Sequence, residues 1–296
     1  MNHMSPQMTV CTNLPFEIAE SPLWDDRRSL LWFVDINNHA IHSYDPKSGV
    51  LNRYQMPALV GSIGLSEDGR LVAALKTGIH LFDPATGELE FIVNPEVDRP
   101  GNQLNDGKVG PDGCFWVGSM DENSMNISGA LYRVTASGEV TLVKDGIFIS
   151  NGLAWSPDGK IMYHSDGLSS TVKAFDFDVA TGTISNERDF FTFDHEEFGW
   201  PDGATMDVHG NYWSAGIFRG KINQVSPEGK LLRTLQMPVL ATTMPCLGGD
   251  DVPTLFVTSL ASDVDDVRQE GTLLSCEIDV AGVPSYRFSV ADLTLS

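Results

Sequence analysis

The sequence predicts an all-β fold, a six-bladed β-propeller, and three observations carry the prediction. A turn followed by a short β-rich run recurs six times with a period of roughly 40 to 50 residues, the length of a four-stranded blade. The runs are aromatic and β-branched and lie between turn residues, as strands do. No stretch of about 12 residues carries a capped helical stripe, which excludes alternating strands and helices.

The clearest turns are Ser66-Glu67-Asp68-Gly69, Pro111-Asp112-Gly113, Ser156-Pro157-Asp158-Gly159 and Asp207-Val208-His209-Gly210, whose glycines are 44, 46 and 51 residues apart. Degenerate copies lie one period outside them, at Trp24-Asp25-Asp26-Arg27-Arg28 and Gly248-Gly249-Asp250-Asp251. A strand follows each turn in order: Leu31–Val34, Leu71–Ala74, Phe115–Val117, Met162–His164, Tyr212–Ser214 and Leu255–Val257. Another follows each of these, as at Ile41–Tyr44 and Ile79–Phe82, and runs on to Gly49, Gly87, Gly138, Gly182, Gly229 or Gly282. The segment around Met8 to Asn13 is expected to complete the last blade, since an open ring would leave exposed sheet edges. Trp32, Trp116 and Trp213 hold repeat positions and are expected to pack between blades.

With 42% hydrophobic and 20% charged residues the chain can bury a sizeable core. Its 296 residues are read as a single domain over 1–296, with 1–7 as a disordered N-terminal tail. Nineteen Lys and Arg against 40 Asp and Glu give a net charge of −21, which repels phosphate backbones and anionic membranes; nucleic-acid and membrane partners are not expected. The apolar runs are far shorter than the roughly 18 residues of a membrane helix, and the start has no basic-then-apolar targeting pattern. Cys11, Cys114, Cys246 and Cys276 are scattered without a C-x-x-C pair, so reduced thiols and a cytoplasmic location are expected.

In a propeller the innermost strands line one channel, so residues at one phase of the repeat converge on the axis. Eight residues before the turn glycines stand Gly61, Asn105, Asn151 and Asp202, and eight before Arg28 stands Glu20. Four of these five offer a side-chain oxygen, and no Arg or Lys shares their phase. Taken singly, Asn-Gly and Asp-Gly mark tight turns. Their shared phase instead makes a hard, all-oxygen set suited to one divalent cation: Ca²⁺, Mg²⁺, Mn²⁺ or, less typically, Zn²⁺.

At these residues the chain resembles the regucalcin and gluconolactonase (senescence-marker) family. The matching segments are Ala19-Glu20-Ser21-Pro22-Leu23-Trp24, Leu104-Asn105-Asp106-Gly107-Lys108, Phe115–Met120, Ser150–Trp155 and Pro201-Asp202-Gly203. The resemblance implies metal ligands at Glu20, Asn151 and Asp202, and hydrolysis of a lactone, most often a sugar lactone. Asp202 would also take the proton of the attacking water. Asn105, Gln103, Asp121, Glu122 and Asn123 would face the substrate. Gln103 stands where many sugar-lactone members have Arg, and a neutral amide does not replace a bidentate cation. The expected partner is a small-molecule lactone, the protein acting as a monomer or small homo-oligomer. Two alternatives stay open: a metal-stabilised propeller that binds without turnover, and an organophosphate-ester hydrolase.

Other chemistries lack their motifs. There is no G-x-S-x-G, H-E-x-x-H, P-loop or G-x-G-x-x-G. His195-Glu196-Glu197 is expected as a solvated loop that could overhang the channel, and Asp263, Asp265 and Asp266 as a solvated acidic loop. His164 is expected to be hydrogen-bonded between blades rather than to serve as a base.

Overall fold

The computed structural model describes residues 7–167, 169–264 and 267–290. They form six small antiparallel sheets in ring order, a six-bladed β-propeller. Blade 1 runs through strands Ala19–Asp25, Leu30–Asp35, Ala40–Tyr44 and Leu51–Gln55. Blades 2 to 5 repeat this meander from inner strands Val60–Ser66, Asn102–Val109, Ser150–Trp155 and Trp200–Met206. Blade 6 starts at Thr242–Gly248 and continues through Thr254–Ser259 and Leu273–Glu277. Its fourth strand comes from the other end of the chain: Thr9 and Val10 pair with Ser275 and Leu274. The ring therefore closes as the edge argument requires. Residues 1–6 of the expected tail, and Asp265 and Asp266 of the acidic run, lie outside the described residues, and Asp263, expected in a loop, lies in a short strand, Ser262–Val264, paired with Val267–Gln269.

Burial follows the order of strands. The inner strands of blades 2, 4 and 6 are buried throughout, whereas an outer strand such as Leu51–Gln55 is largely exposed. Six apolar clusters hold the six seams between neighbouring blades. Trp32 fills the seam of blades 1 and 2, Trp116 that of blades 3 and 4 beside Trp155 and Phe177, and Trp213 that of blades 5 and 6. All three are at most 2% exposed, so truncating any one to Ala would cost about 3–5 kcal/mol.

Two of the turn aspartates, Asp207 and Asp112, are structural anchors. Asp207 is fully buried, and its carboxylate accepts from the backbone of His209 and Asn211, from Trp213 Nε1 at 2.9 Å and from Gln224 Nε2 at 3.0 Å. Asp112 likewise accepts from Trp116 Nε1 and from Arg133 Nε at 2.7 Å. These two turns thus lock the second strands of blades 5 and 3, because a buried carboxylate must be fully hydrogen-bonded, whereas Asp68 and Asp158 are exposed and bond within their own turns.

After blade 6 the chain does not continue the repeat, and Gly282 begins a strap across one end of the ring. Val283 N donates to Met206 O in blade 5, Ser285 Oγ to Trp24 O in blade 1, and Ser289 N to Gly113 O in blade 3. Between them Arg287–Phe288 add a short parallel strand beside Leu65–Ser66 of blade 2. The His195 segment, expected as a loop, is a one-turn helix, His195–Phe198, capped by Asp194 Oδ1.

Candidate metal and substrate site

Each inner strand is interrupted by a β-bulge at the phase singled out in the sequence. Register breaks between Glu20 and Leu23, Val60 and Ser62, Leu104 and Gly107, Asn151 and Ala154, Pro201 and Ala204, and Thr242 and Met244. A bulge re-aims a side chain without ending the sheet. The local sequence provides for it: Gly152 takes φ +68°, which glycine adopts without strain, and Ser21 takes φ +50°.

Glu20, Asn105, Asn151 and Asp202 all line one cavity of about 1000 Å³ at the hub. Asn105 Nδ2 donates to Asn151 Oδ1 and to Ser150 O, both at 3.0 Å. Glu20 Oε2 accepts from Ser21 N at 2.7 Å. At the same phase, Gly61 in blade 2 offers no side chain, and Thr243 in blade 6 turns its hydroxyl to Ala19 O at 2.6 Å.

Electrostatics at the hub are dominated by crowded acids. Burial, then the charges of Asp202 and Asp106, push the Glu20 carboxyl well above the usual range. Burial and then Asp106 do the same to Asp202. Asp106 is raised by burial and held back by Lys108, whose ammonium burial lowers. Asp106 Oδ2 accepts from Leu153 N at 3.1 Å, while its buried Oδ1 has no partner. Sequence reasoning missed both residues, although they follow Asn105 directly in Asn105-Asp106-Gly107-Lys108. Lys108 Nζ donates to Ala204 O, so this cation is tied to the wall of the channel.

Among the described residues no group of three or more His, Cys, Asp or Glu is arranged to hold a metal; the set at issue is two carboxylates and a carboxamide. Its chemistry fits a hard divalent cation, because the carboxyls of Glu20, Asp106 and Asp202 crowd one another, Lys108 compensates them only in part, and an orphaned oxygen lies beside them.

The other sequence candidates are placed unequally. Gln103 and Glu122 line the cavity, and Glu122 pairs with Lys76, another lining residue. Asp121 and Asn123 are not among the lining residues. Asp121 turns back onto its own loop, where Oδ2 accepts from Met125 N at 2.9 Å and Asn126 N at 3.0 Å, and these bonds lower its pKa. His164 is 3% exposed, its Nε2 2.8 Å from Ser150 Oγ, and burial depresses its pKa to about 3. Trp200 was missed: it lines the cavity and stacks on His195 at 4.0 Å.

Residues 18–261 match the family model described as the SMP-30/Gluconolactonase/LRE-like region. The chain belongs to this family. It is 33% identical over 294 residues to the 6-deoxy-6-sulfogluconolactonase of Pseudomonas putida, covering 97% of this chain and 100% of that one. Among solved structures, a luciferin-regenerating enzyme superimposes with a TM-score of 0.90 at 31% identity, covering 96% of this chain and 99% of that one. A calcium-binding regucalcin from Agrobacterium tumefaciens gives 0.88 at 28% identity, covering 95% and 98%.

Proposed function

We propose that the protein is a lactonase that uses one divalent cation, held by Glu20, Asn151 and Asp202, to hydrolyse a small-molecule lactone to its open hydroxy acid. Membership of a family with sugar-lactonase members supports lactone hydrolysis. The observation that supports the metal dependence is that partly buried Glu20 and buried Asp202 line the hub cavity together with Asn151, and that the Asp202 charge raises the Glu20 pKa. A divalent cation bound there would polarise the lactone carbonyl and acidify a nearby water.

The chain's own groups do the rest. Asn105, fixed on Asn151 and Ser150, orients the water or the substrate. Asp202 accepts a proton as the water oxygen bonds to the carbonyl carbon. It returns that proton to the ring oxygen when the ring C–O bond breaks. Gln103 and the Lys76–Glu122 pair stand around the rest of the substrate. Ca²⁺ is the first cation to test, followed by Zn²⁺, Mg²⁺ and Mn²⁺. A cytoplasmic setting belongs to the same reading, in keeping with four free cysteines.

The test is pH-stat hydrolysis of a lactone panel by chelator-treated protein, with each cation restored in turn. Turnover should vanish on chelation and return with metal, and Asp202→Ala and Glu20→Ala should lose both metal and turnover. Undiminished hydrolysis by metal-stripped protein would refute the reading.

A further inference from the structure

The residues two positions before the hub ring share its face, since side chains along a strand alternate with period two. In chain order they are Ile18, Leu59, Gln103, Ile149, Trp200 and Ala241. The first five line the cavity, and Leu260 supplies the wall at blade 6. Directly above the polar floor there is thus a collar of branched and aromatic side chains, whose strand positions offer hydrogen bonds only from the Gln103 amide and the Trp200 indole N–H. Ile18, Leu59, Ile149, Trp200 and Leu260 are only partly buried, so their apolar surface faces the open cavity.

One rim residue extends the apolar wall. Phe218 is 52% exposed, lines the cavity and holds φ +65°, a conformation rare for a bulky residue. His39 and Ser124, also on the lining, are left-handed too, at φ +49° and +53°. Strain of this kind persists where the surroundings over-determine it, and it clusters at ligand clamps. Here the surroundings are visible. Arg219, the next residue, reaches the His195–Phe198 turn through Glu196 O at 2.7 Å and Glu196 Oε2 at 2.6 Å. That turn in turn carries His195 stacked on Trp200. Phe218 and Trp200 form a braced aromatic edge. The rim charges Lys76 and Glu122 neutralise each other.

At the level of the collar a polyhydroxylated ring would set most of its hydroxyl groups against carbon, since the other polar lining groups, such as Asn37, Lys76, Glu122 and Ser124, do not belong to the collar, and a hydroxyl left without a partner is discriminated against. We propose that the substrate is a lactone whose ring carries a hydrocarbon substituent, alkyl or aryl, seated in the collar between Trp200, Phe218, Ile149 and Leu59. This rests on the lactonase reading and specifies its substrate class.

The experiment measures kcat/KM of the metal-loaded protein on δ-valerolactone and δ-lactones with alkyl side chains of increasing length, against glucono-δ-lactone. In parallel, calorimetry follows binding of the matching alkyl δ-lactams, which resist hydrolysis. The collar predicts a gain of about fourfold per buried methylene until it is filled, and a preference for the longer alkyl lactones over glucono-δ-lactone. Trp200→Ala and, independently, Leu59→Asn should each shrink the long-to-short ratio about tenfold or more. A ratio that does not change with chain length, or a preference for glucono-δ-lactone, overturns the assignment. If no lactone turns over while lactam affinity still climbs with chain length, the lactonase reading fails and the hydrocarbon-binding collar stands. If lactam affinity is flat as well, both fail.

Discussion

A methyl carbon at position 61 would lie 2.2 Å from Leu104 O, 2.9 Å from Leu104 C and 3.0 Å from Asn105 O. Gly61 holds the hub phase of blade 2, and all three atoms are backbone of the blade 3 inner strand, so no side chain can swing away. Restoring ordinary contact requires Gly61→Ala to push that strand outward by about 1 Å, and overpacking on this scale costs roughly 3 kcal/mol. Over 296 residues, an unfolding entropy near 2.1 cal/mol/K per residue turns this into a melting temperature lower by about 5 °C. The displaced strand carries Asn105 and Gln103, and a 1 Å misplacement of a positioning group lowers turnover about 100-fold. Calorimetric melting and pH-stat turnover read the two effects. Gly101→Ala is the control, because its added carbon meets nothing within 4 Å. An unchanged melting temperature and turnover in Gly61→Ala would refute the hub packing described here.

Neutralising one hub acid should act with opposite sign on the two forms of the protein. Glu20→Gln relieves like-charge crowding, so it should melt higher than the wild type in chelator but gain nothing from added Ca²⁺, as scanning calorimetry would record. Buried His42, stacked on Phe33 at 5.0 Å, has its pKa lowered to about 4 by burial. The native state therefore binds fewer protons than the unfolded chain between that value and about 6.5, and stability is lost as pH falls through this window. The loss is about 2 kcal/mol at pH 5, and His42→Phe should remove that share of the pH dependence in urea unfolding. Arg287, 11% exposed at its side chain, pairs with fully buried Asp25 at 3.2 Å and ties the C-terminal strap to blade 1. Arg287→Met should lower stability by about 2–3 kcal/mol, read from the urea midpoint, and no shift would show that the strap adds nothing there.

The ring and the hub phase were legible because both rest on periodicity. A blade cannot bury its faces alone, so the Asp-Gly turns and their following strands repeat, and a constant offset from those turns finds Glu20, Asn105, Asn151 and Asp202. The bulges that aim these side chains were visible only indirectly, in Gly152 and in the small residues after each acceptor. What was hidden is what breaks the repeat. The strap pairs Arg287–Phe288 with Leu65–Ser66 through two residues, too few to show a pattern. Asp106 and Lys108 lie one and three positions past the chosen phase, and only the bulge in their strand brings their charges to the hub. Asp121 shares its residue type with a substrate contact, yet its hydrogen bonds close a local loop, a distinction that composition and spacing do not carry.

Calorimetric titration of chelator-treated protein with Ca²⁺ probes the hub most directly. One cation per chain should bind with saturable heat, abolished in Glu20→Gln and in Asp202→Asn. Full binding retained in both variants, or no binding of any divalent cation to the wild type, would contradict it.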